Sequence, residues 1–176
     1  SDLSRAVRQG YVVIVQDTRG RFASEGEWEL ISTSKQEASD TFVTIQWAST
    51  LPYSNGKVGM FGESYSAFVQ WAGMLKNPRV LKAATPSFSW SDPFDGFMYR
   101  GGALELGFLS YWQLGMYLDT LSRRYADEQE RADALAQLVS DIDPLKTEMK
   151  ALPLKQFAPF ARNKVAPFIL EHIERG

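Results

Sequence analysis

The stretch from Lys57 to Gly73, KVGMFGESYSAFVQWAG, constrains the fold more than any other part of the chain. A short apolar run of Val58, Met60 and Phe61 leads to a single serine, Ser64; beyond it Phe68, Trp71, Ala72 and Leu75 recur at the three-and-four spacing of a helix face. A strand that turns sharply into a helix through one strained residue lifts that side chain above the sheet and points the next backbone N–H at the same spot. Only small neighbours permit so close an approach of strand and helix. Gly62 supplies one, two positions before the serine. Two positions after it stands Ser66, so the pattern is G-x-S-x-S, with glycine replaced at its last place. The outline is that of a nucleophile elbow with Ser64 at its tip. A plainer reading is a buried strand, a glycine turn and a helix capped by Ser64 or Ser66. The strand-turn-helix context favours the elbow.

With 176 residues, 44% of them hydrophobic, the chain can build a full core, and disorder is not expected. Nineteen basic residues against 21 acidic ones leave a net charge of −2, which makes no electrostatic case for nucleic acid or an anionic membrane. No apolar run approaches the roughly 20 residues that span a bilayer, and no basic-then-apolar leader opens the sequence. A soluble protein is expected, in the cytoplasm rather than secreted, although nothing fixes the compartment. The chain has no cysteine and one histidine, His172, so thiolate and histidine-rich metal sites are excluded. Neither a metal nor another cofactor is expected.

The remaining sequence divides in two. Asp2 to Gln9 looks like the tail of a helix stopped by Gly10, and the β-branched run Tyr11–Val15 looks like a central strand of a parallel sheet. From Gln16 to Trp28 runs a glycine-punctuated loop carrying Arg19, Arg21 and several acids, either a rim of the ligand crevice or a solvated turn with internal ion pairs. Lys35 to Thr50 has a helical period through Ala38, Phe42, Ile45, Trp47 and Ala48. After the elbow, Val80 to Pro86 is a third strand candidate. This βαβ alternation predicts an α/β fold with a parallel sheet and helices on both faces over residues 1–86. Beyond Pro86 the pattern turns irregular and then helical only, with helices over Ala103–Leu121 and Ala126–Val139. Prolines at positions 144, 153, 159 and 167 break the tail into short pieces. Residues 87–176 are read as a helical cap.

Asp17-Thr18-Arg19-Gly20-Arg21, Ser24-Glu25-Gly26 and the run S-N-G-K-V-G-x-x-G-x-S-Y ending at Tyr65 together resemble one α/β-hydrolase family. It is the family of X-Pro dipeptidyl-peptidases, cocaine esterase and α-amino-acid ester hydrolases. Ser66 departs from its usual glycine and Tyr53 from its usual tryptophan. The resemblance implies a partial α/β-hydrolase sheet followed by a helical cap. It implies Ser64 as nucleophile, the backbone N–H of Tyr65 as an oxyanion donor, and a small ester or peptide as substrate. Asp92 and Asp95 fall where related enzymes hold a substrate amino group; an Asp-Pro turn and an Asx turn account for them equally well. The family's triad acid and histidine lie beyond the cap, so the chain is expected to be an incomplete serine hydrolase, inactive alone. A set of Ser64, Asp141 or Asp143, and His172 satisfies only the order Ser…Asp…His, and the resemblance places His172 at the close of the cap. The alternative is a non-catalytic binding module on the same scaffold. A sheet without its outer strands exposes apolar edges, so pairing with another copy is an expected partner state.

Overall fold

The computed structural model describes residues 3–28, 35–92, 94–145, 149–150 and 153. His172 and the predicted breaks at Pro159 and Pro167 lie outside these described residues. Two compact units are present, Ser1–Gly96 and Phe97–Gly176.

The first unit opens with α1, Leu3–Arg8, which ends where Gly10, at φ 84°, donates its N–H to the Val7 carbonyl. The run Tyr11–Val15 departs from expectation and forms no strand. Tyr11, Val12, Ile14 and Val15 are exposed. β-Branching favours an extended chain locally, but a strand exists only through a neighbour's backbone bonds, and no described segment pairs with this one. The following loop is tied to itself. Gly20 N–H donates to the Glu25 carbonyl at 2.9 Å, and the Ser24 hydroxyl to the Asp17 carbonyl at 2.7 Å. Gly20 sits at φ 71°, where a Cβ would lie 2.2 Å from the Trp28 nitrogen, so only glycine closes this loop.

Helix α2, Lys35–Thr50, has the predicted span. Its buried stripe is Glu37, Ala38, Thr41 and Ile45, and Trp47, expected inside, is 50% exposed. A Ser54-Asn55-Gly56 turn follows, in which Asn55 Oδ1 accepts from the Lys57 N–H at 3.0 Å. Strand β1, Val58–Glu63, then pairs in parallel with β2, Leu81–Ser87, in register from Gly59↔Ala83 to Glu63↔Ser87. Between them runs α3, Tyr65–Met74, which buries Ala67, Phe68, Gln70, Ala72 and Gly73. Trp71 and Leu75, assigned to the same stripe from spacing, are exposed. Helices α2 and α3 meet at Gly73, where a Cβ would come 2.4 Å from Thr41 Cγ2. The unit is thus a βαβ crossover backed by a second helix, the parallel α/β arrangement the sequence predicts.

Segment 87–96 keeps company with this unit, since Trp90 stacks on Phe68 at 5.7 Å. The second unit opens with a feature the sequence reading lacked, a small antiparallel hairpin of β3, Tyr99–Arg100, and β4, Ala103–Leu104. Gly101 and Gly102, at φ 57° and 82°, make its two-residue turn. Paired positive φ values match the twist of hairpin strands, and the Gly-Gly dipeptide was the signal for it. The helix predicted over 103–121 is two helices, α4 Leu106–Met116 and α5 Leu118–Arg124. Helix α6, Glu128–Ile142, begins at an Asp127 cap whose side chain accepts from the Glu130 N–H. Met98, Leu114, Tyr117, Leu121, Leu138 and Leu145 fill the core of this unit.

Candidate functional site

Ser64 occupies the one residue between the end of β1 and the start of α3, and its backbone is strained. Its φ of 57° and ψ of −125° lie in a region that L-residues rarely adopt and that costs about 1–3 kcal/mol. The local sequence makes this turn feasible. Gly62 sits at φ 155° with Ser66 packed against it, and a Cβ on Gly62 would fall 2.7 Å from Ser66 Cβ. The backbone of Ser64 is held on both sides. Its N–H donates to the Ser87 and Phe88 carbonyls at 3.1 and 3.2 Å, and its carbonyl accepts from the Ala67 and Phe68 N–H groups at 3.0 Å each.

The side chain of Ser64 makes no capping hydrogen bond, although the residue stands at the N-cap position of α3. The capping role of the plainer reading is therefore not the one Ser64 fills. The residue is exposed, at the carboxyl end of a parallel strand, where open α/β sheets bind ligands. Tyr65 is the first residue of α3, and amides of a first helical turn have no intrahelical acceptor. An exposed serine followed directly by the first-turn amides of a helix, at its positive end, suits a nucleophile whose attack generates an oxyanion.

Gln70 and Glu37, which sequence reasoning missed, tie this turn down from below. Fully buried, Gln70 donates from Nε2 to the Ser66 carbonyl at 3.0 Å, and its Oε1 accepts from the Thr85 N–H at 3.1 Å. One side chain thereby fastens the start of α3 to β2. The Tyr65 hydroxyl donates to Glu37 Oε1 at 2.5 Å. Burial above all, and then the charge and hydrogen bond of Glu37, hold the Tyr65 phenol far above its ordinary value; Trp28 and the charge of Arg21 oppose the rise. Arg21 is buried too, its guanidinium 4.2 Å from the Trp28 ring centre. The signal in the sequence was weak. A glutamate in the first turn of a helix ordinarily reads as a solvated partner of the helix dipole.

Arg19 forks onto the Asp40 carboxylate at 2.7 and 2.5 Å, an ion pair that ties the loop to α2 rather than one internal to the loop. Asp92 Oδ1 accepts from the Phe94 N–H at 2.8 Å, an Asx turn, and Asp95 is exposed. In the second unit, buried Asp141 accepts from Gln137 Nε2 at 3.0 Å, and Asp143 caps α6. Among the described residues no cluster of three or more histidine, cysteine or acidic side chains would hold a metal. No helix among them is long and apolar enough to cross a membrane.

Known proteins similar to this chain point to one family. Residues 2–168 match the family model described as X-Pro dipeptidyl-peptidase (S15 family). Cocaine esterase from a Rhodococcus species is 31% identical over 168 residues, which cover 95% of this chain and 28% of that relative. Two proteins described as candidate serine esterases, from Mycobacterium bovis and Mycobacterium tuberculosis, are each 28% identical over 128 residues, 70% of this chain and 19% of theirs. The chain thus spans less than a third of the length of these curated relatives. With its parallel α/β unit and its match over nearly the whole length, the chain belongs to the X-Pro dipeptidyl-peptidase (S15) family of serine hydrolases.

Proposed function

We propose that Ser64 is the nucleophile of an acyl-enzyme hydrolase that cleaves small esters or peptide bonds, and that β1, Ser64 and α3 form its elbow. The observation that carries this reading is the strained Ser64 backbone between a parallel strand and a helix, with its side chain not spent on capping. Ser64 Oγ attacks the scissile carbonyl carbon, the carbonyl π electrons move onto oxygen, and the Tyr65 N–H donates to that oxyanion. Collapse, with the proton taken from serine passed to the departing oxygen or nitrogen, expels the alcohol or amine and leaves an ester on Ser64, which water then hydrolyses. Serine needs a neighbouring base to lose its proton. We assign that base and its acid partner to sequence outside these 176 residues, because the relatives that carry the activity are so much longer. The cap region is then the second unit, from Phe97 onward, in which α4, α5 and α6 follow the short hairpin of β3 and β4. Asp92 and Asp95 stand as candidates for a substrate amino group; at Asp92 that group would share a carboxylate already engaged by Phe94.

Ser66 does not favour the non-catalytic alternative, since its Cβ packs where Gly62 leaves room. The test is fluorophosphonate labelling of the natural protein with peptide mapping, beside ester and X-Pro anilide hydrolysis. Labelling confined to Ser64, with turnover abolished by Ser64→Ala, is the expected result. Turnover that survives Ser64→Ala overturns the reading.

A further inference from the structure

We propose that Glu37 is a positioning residue for the oxyanion donor: through its hydrogen bond to the Tyr65 hydroxyl it fixes the residue whose backbone N–H meets the developing negative charge. The inference rests on Ser64 being the nucleophile and concerns how that site is held in shape.

The amide that would meet the oxyanion belongs to the peptide between Ser64 and Tyr65. Its direction follows from the ψ of Ser64 and the φ of Tyr65, and the first of these lies in a strained region. A strained peptide keeps one orientation only when its neighbours over-determine it. Hydrogen bonds to Ser87, Phe88, Ala67 and Phe68 fix the Ser64 side of the peptide. On the other side the handle is the Tyr65 ring, a rigid lever with two rotatable bonds. Its edge meets Phe68 at 5.8 Å, and its distal oxygen is tied to Glu37 on α2, 28 residues earlier. The bond is of the short, charge-assisted kind that holds geometry best.

Stability alone is a poor reason for that carboxylate. Glu37 is only 2% exposed. Desolvating an ionised group is costly, and well-packed apolar residues commonly serve a core as well as a buried charge or better. The adjoining Arg21, itself 5% exposed and coupled by charge to Tyr65, adds a second buried ion to the same cluster. Two buried charges gathered beside the residue that follows the serine make sense as a device for orientation. Phenylalanine at position 65 would fill the same space without them.

The natural protein carrying Tyr65→Phe, Glu37→Ala, Glu37→Gln or Ser64→Ala separates the possibilities. Rates are expressed per active site titrated with a fluorophosphonate, so that loss of folded protein does not count as loss of catalysis. Complete loss of an oxyanion donor costs about 10²–10³-fold in kcat, and a displaced donor costs part of that. Tyr65→Phe and Glu37→Ala are therefore expected to lower kcat about tenfold or more, with KM within about twofold and an equal loss of affinity for a boronic acid. Glu37→Gln, which keeps an acceptor oxygen, should recover most of the lost rate. Tyr65→Phe removes a single oxygen and remains informative if Glu37→Ala does not fold. If Tyr65→Phe and Glu37→Ala lower the melting temperature but leave kcat per titrated site and boronate affinity unchanged, Glu37 is merely structural and the inference is wrong. Activity that persists in Ser64→Ala shows instead that the nucleophile reading has failed, and the inference falls with it.

Discussion

Replacing Gly62 by alanine tests the geometry of the turn most directly. The new Cβ would sit 2.7 Å from Ser66 Cβ, whereas the Ser66 carbonyl carbon and oxygen are at an ordinary 3.4 Å. Unstrained carbons approach to roughly 3.5–4.0 Å, so the overlap is about 1 Å and involves one atom of one side chain. That atom has little room to yield, because the Ser66 carbonyl is held by buried Gln70. Overpacking of this kind costs about 1–3 kcal/mol. The φ of 155° at Gly62 adds a backbone penalty of about 1–3 kcal/mol, because an L-residue rarely adopts it. Together they predict a loss of about 4 kcal/mol, which for a chain of this size lowers the melting temperature by about 8–16 °C. Ser66→Gly removes the clashing atom, so in the Gly62→Ala, Ser66→Gly double variant about 1–3 kcal/mol should return while the backbone penalty stays. Urea titrations of the four proteins in the cycle measure this coupling. If the two substitutions add to within about 0.5 kcal/mol, as independent sites do, the contact between Gly62 and Ser66 does not limit the turn and the account above is wrong.

Other expectations follow from the same contacts. Gly73→Ala, whose Cβ would meet Thr41 Cγ2 at 2.4 Å, should cost about 1–3 kcal/mol, and Thr41→Ser should return part of it in a thermal melt. Gln70→Leu removes a buried side chain's bonds to the Thr85 N–H and the Ser66 carbonyl, both part-buried; a loss of about 1–3 kcal/mol in urea titration and slower fluorophosphonate labelling are expected. The Tyr65 phenol is raised above its ordinary value of 10.0, so its proton stays on in the folded state after the unfolded chain has lost it. Its contribution to stability is complete below pH 10 and falls as pH climbs from there towards the folded value, so melting temperature should drop more steeply above pH 10 in wild type than in Tyr65→Phe.

Why some of this was legible in the sequence and some was not follows from the range of the interactions concerned. The span of α2, the turn at Ser64 and the strand after Pro78 are set by nearby residues: a periodic face, a glycine two places before a serine, a proline stop. These are local signals. Tyr11–Val15 has the strand composition, yet pairing is decided by a partner the sequence of that run cannot name. The hairpin at Gly101-Gly102 was local and readable, and it was overlooked because the apolar residues after it keep a helical period. Glu37 and Gln70 were out of reach for a different reason. Each is a polar residue on a helix that reaches an atom on another element, Tyr65 Oη in one case and the Thr85 N–H in the other.

The strain at Ser64 and the residues that hold it belong to one energetic arrangement. Ser64 at φ 57° and Phe88 at φ 49° are both non-glycine residues in unfavourable backbone regions, and the Ser64 N–H donates to the Phe88 carbonyl. Each costs about 1–3 kcal/mol relative to a relaxed chain. A typical hydrogen bond returns about 0.5–1.5 kcal/mol net, and the Ser64 backbone alone takes part in four, with Gln70 adding its bond to Ser66 below. The sum is enough to hold the turn but leaves little surplus. Removing a single tie should therefore act first on the orientation of the Ser64–Tyr65 peptide and only secondarily on global stability. A site arranged this way loses catalytic geometry before it loses its fold, so labelling kinetics at Ser64 should respond to Gln70 and Glu37 substitutions at temperatures where circular dichroism still reports a fully folded protein.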